Sequence, residues 1–99
     1  MNFSDLKPED INRAATMIKA ISHPMRLAIF GILSEEGGLT VSQIHQRLGM
    51  EQSTASHHLG RLKDRGILAS ERKGKNTLYF LRKPNLVKLV ECISECACE

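Results

Sequence analysis

Leu48-Gly49-Met50-Glu51-Gln52-Ser53-Thr54-Ala55-Ser56-His57-His58-Leu59-Gly60-Arg61-Leu62-Lys63-Asp64-Arg65 is the stretch on which the fold of this chain turns. Ala55, Leu59 and Leu62 recur at helical spacing, so one narrow face of a helix can pack on a core. The remainder of the early turns is short and polar (Gln52, Ser53, Thr54, Ser56 and His57), and Arg61, Lys63 and Arg65 follow. A surface helix usually carries long Glu and Lys side chains on its wet face. Short hydrogen-bonding groups instead suit close approach to another surface. Gln can pair with an adenine edge, Ser and Thr with base or phosphate, and the later cations with phosphates. By itself the stretch is equally a solvated helix with a polar start. The residues on either side decide.

Upstream, residues 1–8 form a short lead, and from Glu9 the positions Ile11, Ala14, Ala15, Ile18 and Ile21 keep helical spacing. That helix should stop by residue 22, since the residue before Pro24 avoids helical geometry. Pro24 suits the first turn of a second, largely apolar helix carrying Met25, Leu27, Ala28, Ile29, Ile32 and Leu33, which Gly37-Gly38 ends. Thr40 or Ser42 can cap a short third helix with Ile44 and Leu48 facing inward, and Gly49 breaks it just before Gln52. Two short helices joined by a glycine-containing turn, over residues 40–65, make a helix-turn-helix. Gly66 closes it. Residues 67–72 and 77–82 then read as strands around the turn Lys73-Gly74-Lys75-Asn76. A basic hairpin in this place is a wing (67–82) that can lay Arg72, Lys73 and Lys75 along a phosphate backbone. The last helix, 84–97, carries Leu86, Leu89, Val90, Ile93 and Ala97 on one stripe.

The expected architecture is therefore mainly α with a small β-hairpin, α1-α2-α3-α4-β-β-α5, in one domain over 1–99. The stripes on 9–22 and 84–97 exceed what so small a core absorbs. Ile11, Ala14 and Ile18 are accordingly expected to meet Leu86, Leu89, Val90, Ile93 and Ala97 across a two-fold axis in a homodimer.

Charge supports a polyanionic partner. Residues 1–50 hold five cations and five anions; residues 51–83 hold eight cations against three anions, a local charge of +5, within a chain whose net charge is +3. No apolar run approaches bilayer length and Met1-Asn2-Phe3-Ser4-Asp5 has no signal pattern, so a cytoplasmic protein without a membrane partner is expected. An enzyme is not expected: no serine or cysteine sits in a nucleophile motif, and no paired carboxylates stand near a glycine-rich loop.

Ile21-Ser22-His23-Pro24-Met25-Arg26-Leu27 resembles the motif that opens the second helix of ArsR/SmtB-type winged-helix repressors. Residues 52–62 with Gly66-Ile67-Leu68 resemble that family's recognition helix and its exit, and Arg72-Lys73-Gly74-Lys75 with Leu78-Tyr79-Phe80 its wing. The resemblance spans roughly 10–97. It implies a homodimer that binds double-stranded operator DNA and is released by a small inducer, often a metal ion. By family position, Gln52, Ser53, Ser56 and His57 would face the major groove. Thr54, Arg61, Lys63 and the wing cations Arg72, Lys73 and Lys75 would hold phosphates. Arg26 and His23 would hold a helix junction, and His58, beside the apolar face, would pack.

The family's metal sites do not carry over. The stretch matching the third-helix cysteine pair is Leu39-Thr40-Val41-Ser42-Gln43-Ile44; residues 84–99 hold no histidine, and the second helix holds no cysteine. What remains is Cys92, Cys96 and Cys98, an odd number and so not a disulfide framework. Cys92 and Cys96 share one helix face. With Cys98 they would suit arsenite, cadmium or copper(I), and zinc could add a carboxylate from Glu91, Glu95 or Glu99. Three readings stay open: soft-ion sensing, redox switching without metal, and cysteines that only pack or stand idle. A winged-helix module that docks an acidic protein is the alternative to DNA binding.

Overall fold

The computed structural model describes residues 2–98. After a single 3-10 turn at Phe3–Asp5 come α1 (Pro8–Ala20), α2 (Pro24–Glu36), β1 (Leu39–Thr40), α3 (Val41–Leu48), α4 (Gln52–Asp64), β2 (Leu68–Lys73), β3 (Asn76–Leu81) and α5 (Leu86–Ala97).

The core forms because α2 is apolar almost all round and the other elements cover it. Ile29, Phe30 and Leu33 of α2 are fully buried, with Ile44 of α3, Leu59 and Leu62 of α4, and Ile67 and Leu68 at the entry to β2. Burying each such side chain contributes about 1.5–3 kcal/mol. His23 caps α2, its Nδ1 accepting from the Met25 amide at 3.1 Å, and Pro24 fills the first helical position. Thr40 caps α3 in a reciprocal box: its hydroxyl accepts from the Gln43 amide at 3.2 Å, and Gln43 Oε1 accepts from the Thr40 amide at 2.9 Å. Arg47 of α3 pairs with Glu36 at the end of α2.

Two glycines end helices where only their backbone freedom fits. Gly49 closes α3 in the left-handed region at φ 65°. Gly66, at φ 79°, closes α4: its amide donates to the Lys63 carbonyl at 3.1 Å and the Ile67 amide to that of Leu62 at 3.0 Å. Leu62 and Ile67 are both buried, which completes the paired-bond helix stop with its apolar contact.

The structure differs from the sequence expectation at several boundaries. The hairpin strands run Leu68–Lys73 and Asn76–Leu81, and Lys73 pairs with Asn76, so the turn shrinks to Gly74 and Lys75. Gly74 at φ 62° followed by a residue without positive φ lets two residues reverse the chain with the right twist. A third strand, β1, was not expected: Leu39 pairs with Tyr79 and Thr40 with Leu78, giving the antiparallel order β1-β3-β2. Two residues are too few for alternation to register in sequence. The last helix starts at Leu86 rather than 84, because the chain from Lys83 makes tight turns first, the Leu86 amide donating to the Lys83 carbonyl at 3.0 Å. α1 starts one residue earlier than expected and ends at Ala20, not 22.

Candidate nucleic-acid interface

α4 is set by the pocket its apolar stripe fills. Ala55, Leu59 and Leu62 are fully buried, and His58 joins them at 7% exposure. Successive residues turn by about 100°, which throws Ser53 and His57 to the side opposite that stripe, with Gln52, Ser56 and Arg61 on its flanks. Gln52, Ser53, Thr54, Ser56, His57, Arg61 and Lys63 are all exposed. Glu51, at the cap position, makes no side-chain cap bond, and the first helical bond runs from the Ala55 amide to the Glu51 carbonyl at 3.0 Å. The start of α4 therefore presents backbone donors and a positive dipole end beside its short polar side chains.

Gly60 lies on the same outer side, and a Cβ there would meet nothing within 4 Å. A mid-helix glycine costs about 0.5–1 kcal/mol against alanine. Nothing in the protomer's packing offsets that cost, whereas a flat spot would let a second body approach. The residue composition around it was legible; the open space was not.

The inner side of α4 is tied to α2 by polar contacts as well as apolar ones. Arg26 donates from Nε to Nδ1 of His58 at 3.1 Å, and from Nη1 to the Ala20 carbonyl at 3.4 Å. The His23 ring stacks obliquely on His58, with centroids 4.9 Å apart, and His57 lies 5.9 Å from it. Burial first, then the charge of Arg26 and the neighbouring His23 and His57, hold the His58 pKa below its ordinary value. In that neutral state Nδ1 carries the lone pair that Arg26 needs. His45 Nδ1 reaches the Met50 carbonyl at 3.2 Å and steadies the turn between α3 and α4.

On the wing, Arg72, Lys73 and Lys75 are exposed. Arg72 is partly spent, since its Nε donates to the Gly74 carbonyl at 3.2 Å, which leaves its terminal nitrogens and the two lysines for an anion.

α1 and α5 look outward. Ile11, Ile18 and Leu89 are exposed at 39%, 60% and 36%, and Ala14 and Ala97 are exposed too. Leu86 and Val90 lean on the core and Ile93 is half-buried. Cys92, Cys96 and Cys98 are exposed, and among the described residues no three His, Cys, Asp or Glu side chains converge as a metal site. Cys98 lies one residue past α5, and Glu99 lies outside the described residues.

A helix-turn-helix domain family matches residues 21–71. The chain is 36% identical over 87 residues to the cadmium resistance transcriptional regulatory protein CadC homolog of Staphylococcus aureus, covering 88% of this chain and 72% of that one. It superposes on the transcriptional repressor BigR from Xylella fastidiosa with a TM-score of 0.84 at 31% identity, over 100% of this chain and 99% of the other. A homodimeric winged helix-turn-helix DNA-binding domain of Mycobacterium bovis, described as a possible ArsR-family transcriptional regulator, superposes with a TM-score of 0.81 at 28% identity, over 90% and 82% of the two chains.

Proposed function

Because the chain belongs to the ArsR/SmtB-type family of winged helix-turn-helix transcriptional regulators, we propose that its α4 reads operator bases while its wing grips the flanking phosphates. It is a DNA-binding transcriptional repressor that acts as a homodimer and is not an enzyme. Among the described residues no helix is long and apolar enough to cross a membrane.

One observation carries the reading: the outer side of the first turns of α4, Gln52, Ser53, Thr54, Ser56 and His57, is short, polar and exposed, in a helix whose inner side is locked to the core. Gln52, Ser53, Ser56 and His57 lie where a major groove would meet them; Thr54, Arg61, Lys63, Arg72, Lys73 and Lys75 are the phosphate partners. The dimer forms through α1 and α5, with Ile11, Ala14, Ile18, Leu86, Leu89, Val90, Ile93 and Ala97 in the seam. Two recognition helices then meet major grooves about one helical turn apart, on a near-palindromic operator.

Release is assigned to a soft ion at α5. Cys92 and Cys96 stand one turn apart on an exposed face and would supply two thiolates to arsenite, cadmium, copper(I) or zinc. The name of the Staphylococcus aureus relative, a cadmium resistance regulator, supports an ion of this class. α5 packs on α2, and Arg26 of α2 holds His58 of α4, so contacts run from the helix that bears the thiols to the recognition helix. Coupling of about 1–3 kcal/mol would lower operator affinity some 5–150-fold.

The test is operator binding by the reduced homodimer on its own upstream DNA, with and without each of the four ions. A salt-sensitive complex is expected, released by one ion in the native chain and not in a Cys92→Ser/Cys96→Ser variant. Indifference to every ion removes the thiols from the mechanism, and release by oxidant alone makes them a redox switch. Absence of any sequence preference removes the repressor itself and favours docking to an acidic protein.

A further inference from the structure

Six cations that lie away from the wing turn, Arg13, Lys19, Arg26, Arg65, Arg82 and Lys83, line two hollows near the far end of α4. A cleft of about 390 Å³ opens between α1, the start of α2 and the residue after α4; Lys19, Arg26 and Arg65 line it with Thr16 and Ala20. Arg65 also lines an adjoining hollow of about 210 Å³, with Arg13, Arg82 and Lys83. No carboxylate lines either one. Among the described residues the ion pairs are Arg13 with Asp10 and Arg47 with Glu36, so Lys19, Arg26, Arg65, Arg82 and Lys83 have no acidic partner. An anion entering here would meet cations with no carboxylate competing for them.

Two features set this place apart from the surfaces already assigned. Arg65 follows the C-terminal end of α4, about 20 Å along the helix from Gln52 at 1.5 Å per residue, so it does not belong to the base-facing start. Thr16 lies about 160° around α1 from Ile18, so a dimer seam on the Ile11–Ala14–Ile18 stripe leaves the cleft open. Its concave shape and volume fit a discrete small ligand. Arginine forks match the paired oxygens of phosphate, and Lys19 adds a point charge.

We infer that this cleft binds a small molecule bearing a phosphate or pyrophosphate group, and that its occupancy is felt at the recognition helix. The link is Arg26, which lines the cleft and is also the donor that fixes His58, the neighbour of His57. An anion drawing on the Arg26 guanidinium competes with the bonds to His58 and the Ala20 carbonyl, and so loosens the junction between α1, α2 and α4. The effect on DNA rests on the repressor reading above; the binding itself does not.

The experiment therefore measures binding first without DNA. Inorganic pyrophosphate is titrated calorimetrically into the homodimer, ionic strength being held constant with chloride, and repeated on a Lys19→Gln/Arg65→Gln variant. Both replaced residues are exposed, so the fold should survive, which an unchanged melting curve verifies. Saturable binding that weakens at least tenfold in the variant is expected, with operator affinity shifted at least fivefold by pyrophosphate in the native chain and unmoved in the variant. No heat beyond the chloride control, or equal binding by the variant, overturns the site. If pyrophosphate does not bind while the variant loses affinity for all DNA alike, the cations are backbone contacts and the inference fails. Pyrophosphate binding with unchanged operator affinity overturns the coupling.

Discussion

At the scale of single residues, the informative one is His58. Its Nδ1 must accept from Arg26 Nε, so the bond exists only while the ring is neutral. Burial, Arg26, His23 and His57 all push in that direction and hold its pKa below the ordinary 6.5. The unfolded chain thus takes up a proton at this ring before the folded chain does. The contribution is fully present above pH 6.5 and is lost as pH falls from there through the lower folded value. Melting temperature should drop on acidification from about pH 8 to about pH 5, and a His58→Gln variant should show a smaller drop. Equal drops in the two proteins would mean that another group carries the acid sensitivity. A His58→Ala variant, which empties the site and leaves the Arg26 donor unmatched, should lose about 1–3 kcal/mol by denaturant titration at neutral pH. That His58 packs inward was legible from its place beside Ala55 and Leu59; that it accepts from Arg26, thirty-two positions earlier, was not.

At the scale of elements, the helix ends were written locally and the sheet was not. Thr40 with Gln43, Gly49, and Gly66 with Ile67 each make their bonds to residues three to five positions away, and so could be read along the chain. β1 depends on Leu39 and Thr40 finding Tyr79 and Leu78 across the fold. The wing belongs to this scale too. Lys75 occupies the two-residue turn, where it is exposed and sequence-neutral phosphate contact is the expected role. Replacing it with alanine should weaken operator and unrelated duplexes alike and reduce the slope of log affinity against log salt by about 2, one phosphate contact being lost from each protomer of the homodimer. A loss confined to the operator would place Lys75 at a base edge instead. An unchanged slope on both duplexes would remove it from the interface.

At the scale of the whole molecule, the protomer is unfinished. α1 has one buried residue, Ala20, and α5 has none, although both carry apolar stripes. Ile18 and Leu89 are exposed by 60% and 36% in the protomer, so charging them would strain the proposed seam and not the fold. Ile18→Asp with Leu89→Asp should yield a helical monomer by sedimentation, with operator affinity down more than about tenfold as one half-site is lost. A variant that stays dimeric would move the seam elsewhere.

What the sequence determined by itself was everything encoded at short range. The periodicity of α1 to α5, the caps and stops, the basic hairpin and the polar outer side of α4 all depend on residues within a few positions of one another. The family's two motifs, in their right order, then named the architecture. Only the tertiary structure decided which side chains meet across the chain: Arg26 with His58, β1 with β3, and Arg13, Lys19, Arg65 and Arg82 around adjoining hollows. Those contacts arise from how helices cross on one apolar core, and a linear pattern of polar and apolar residues carries no record of crossing.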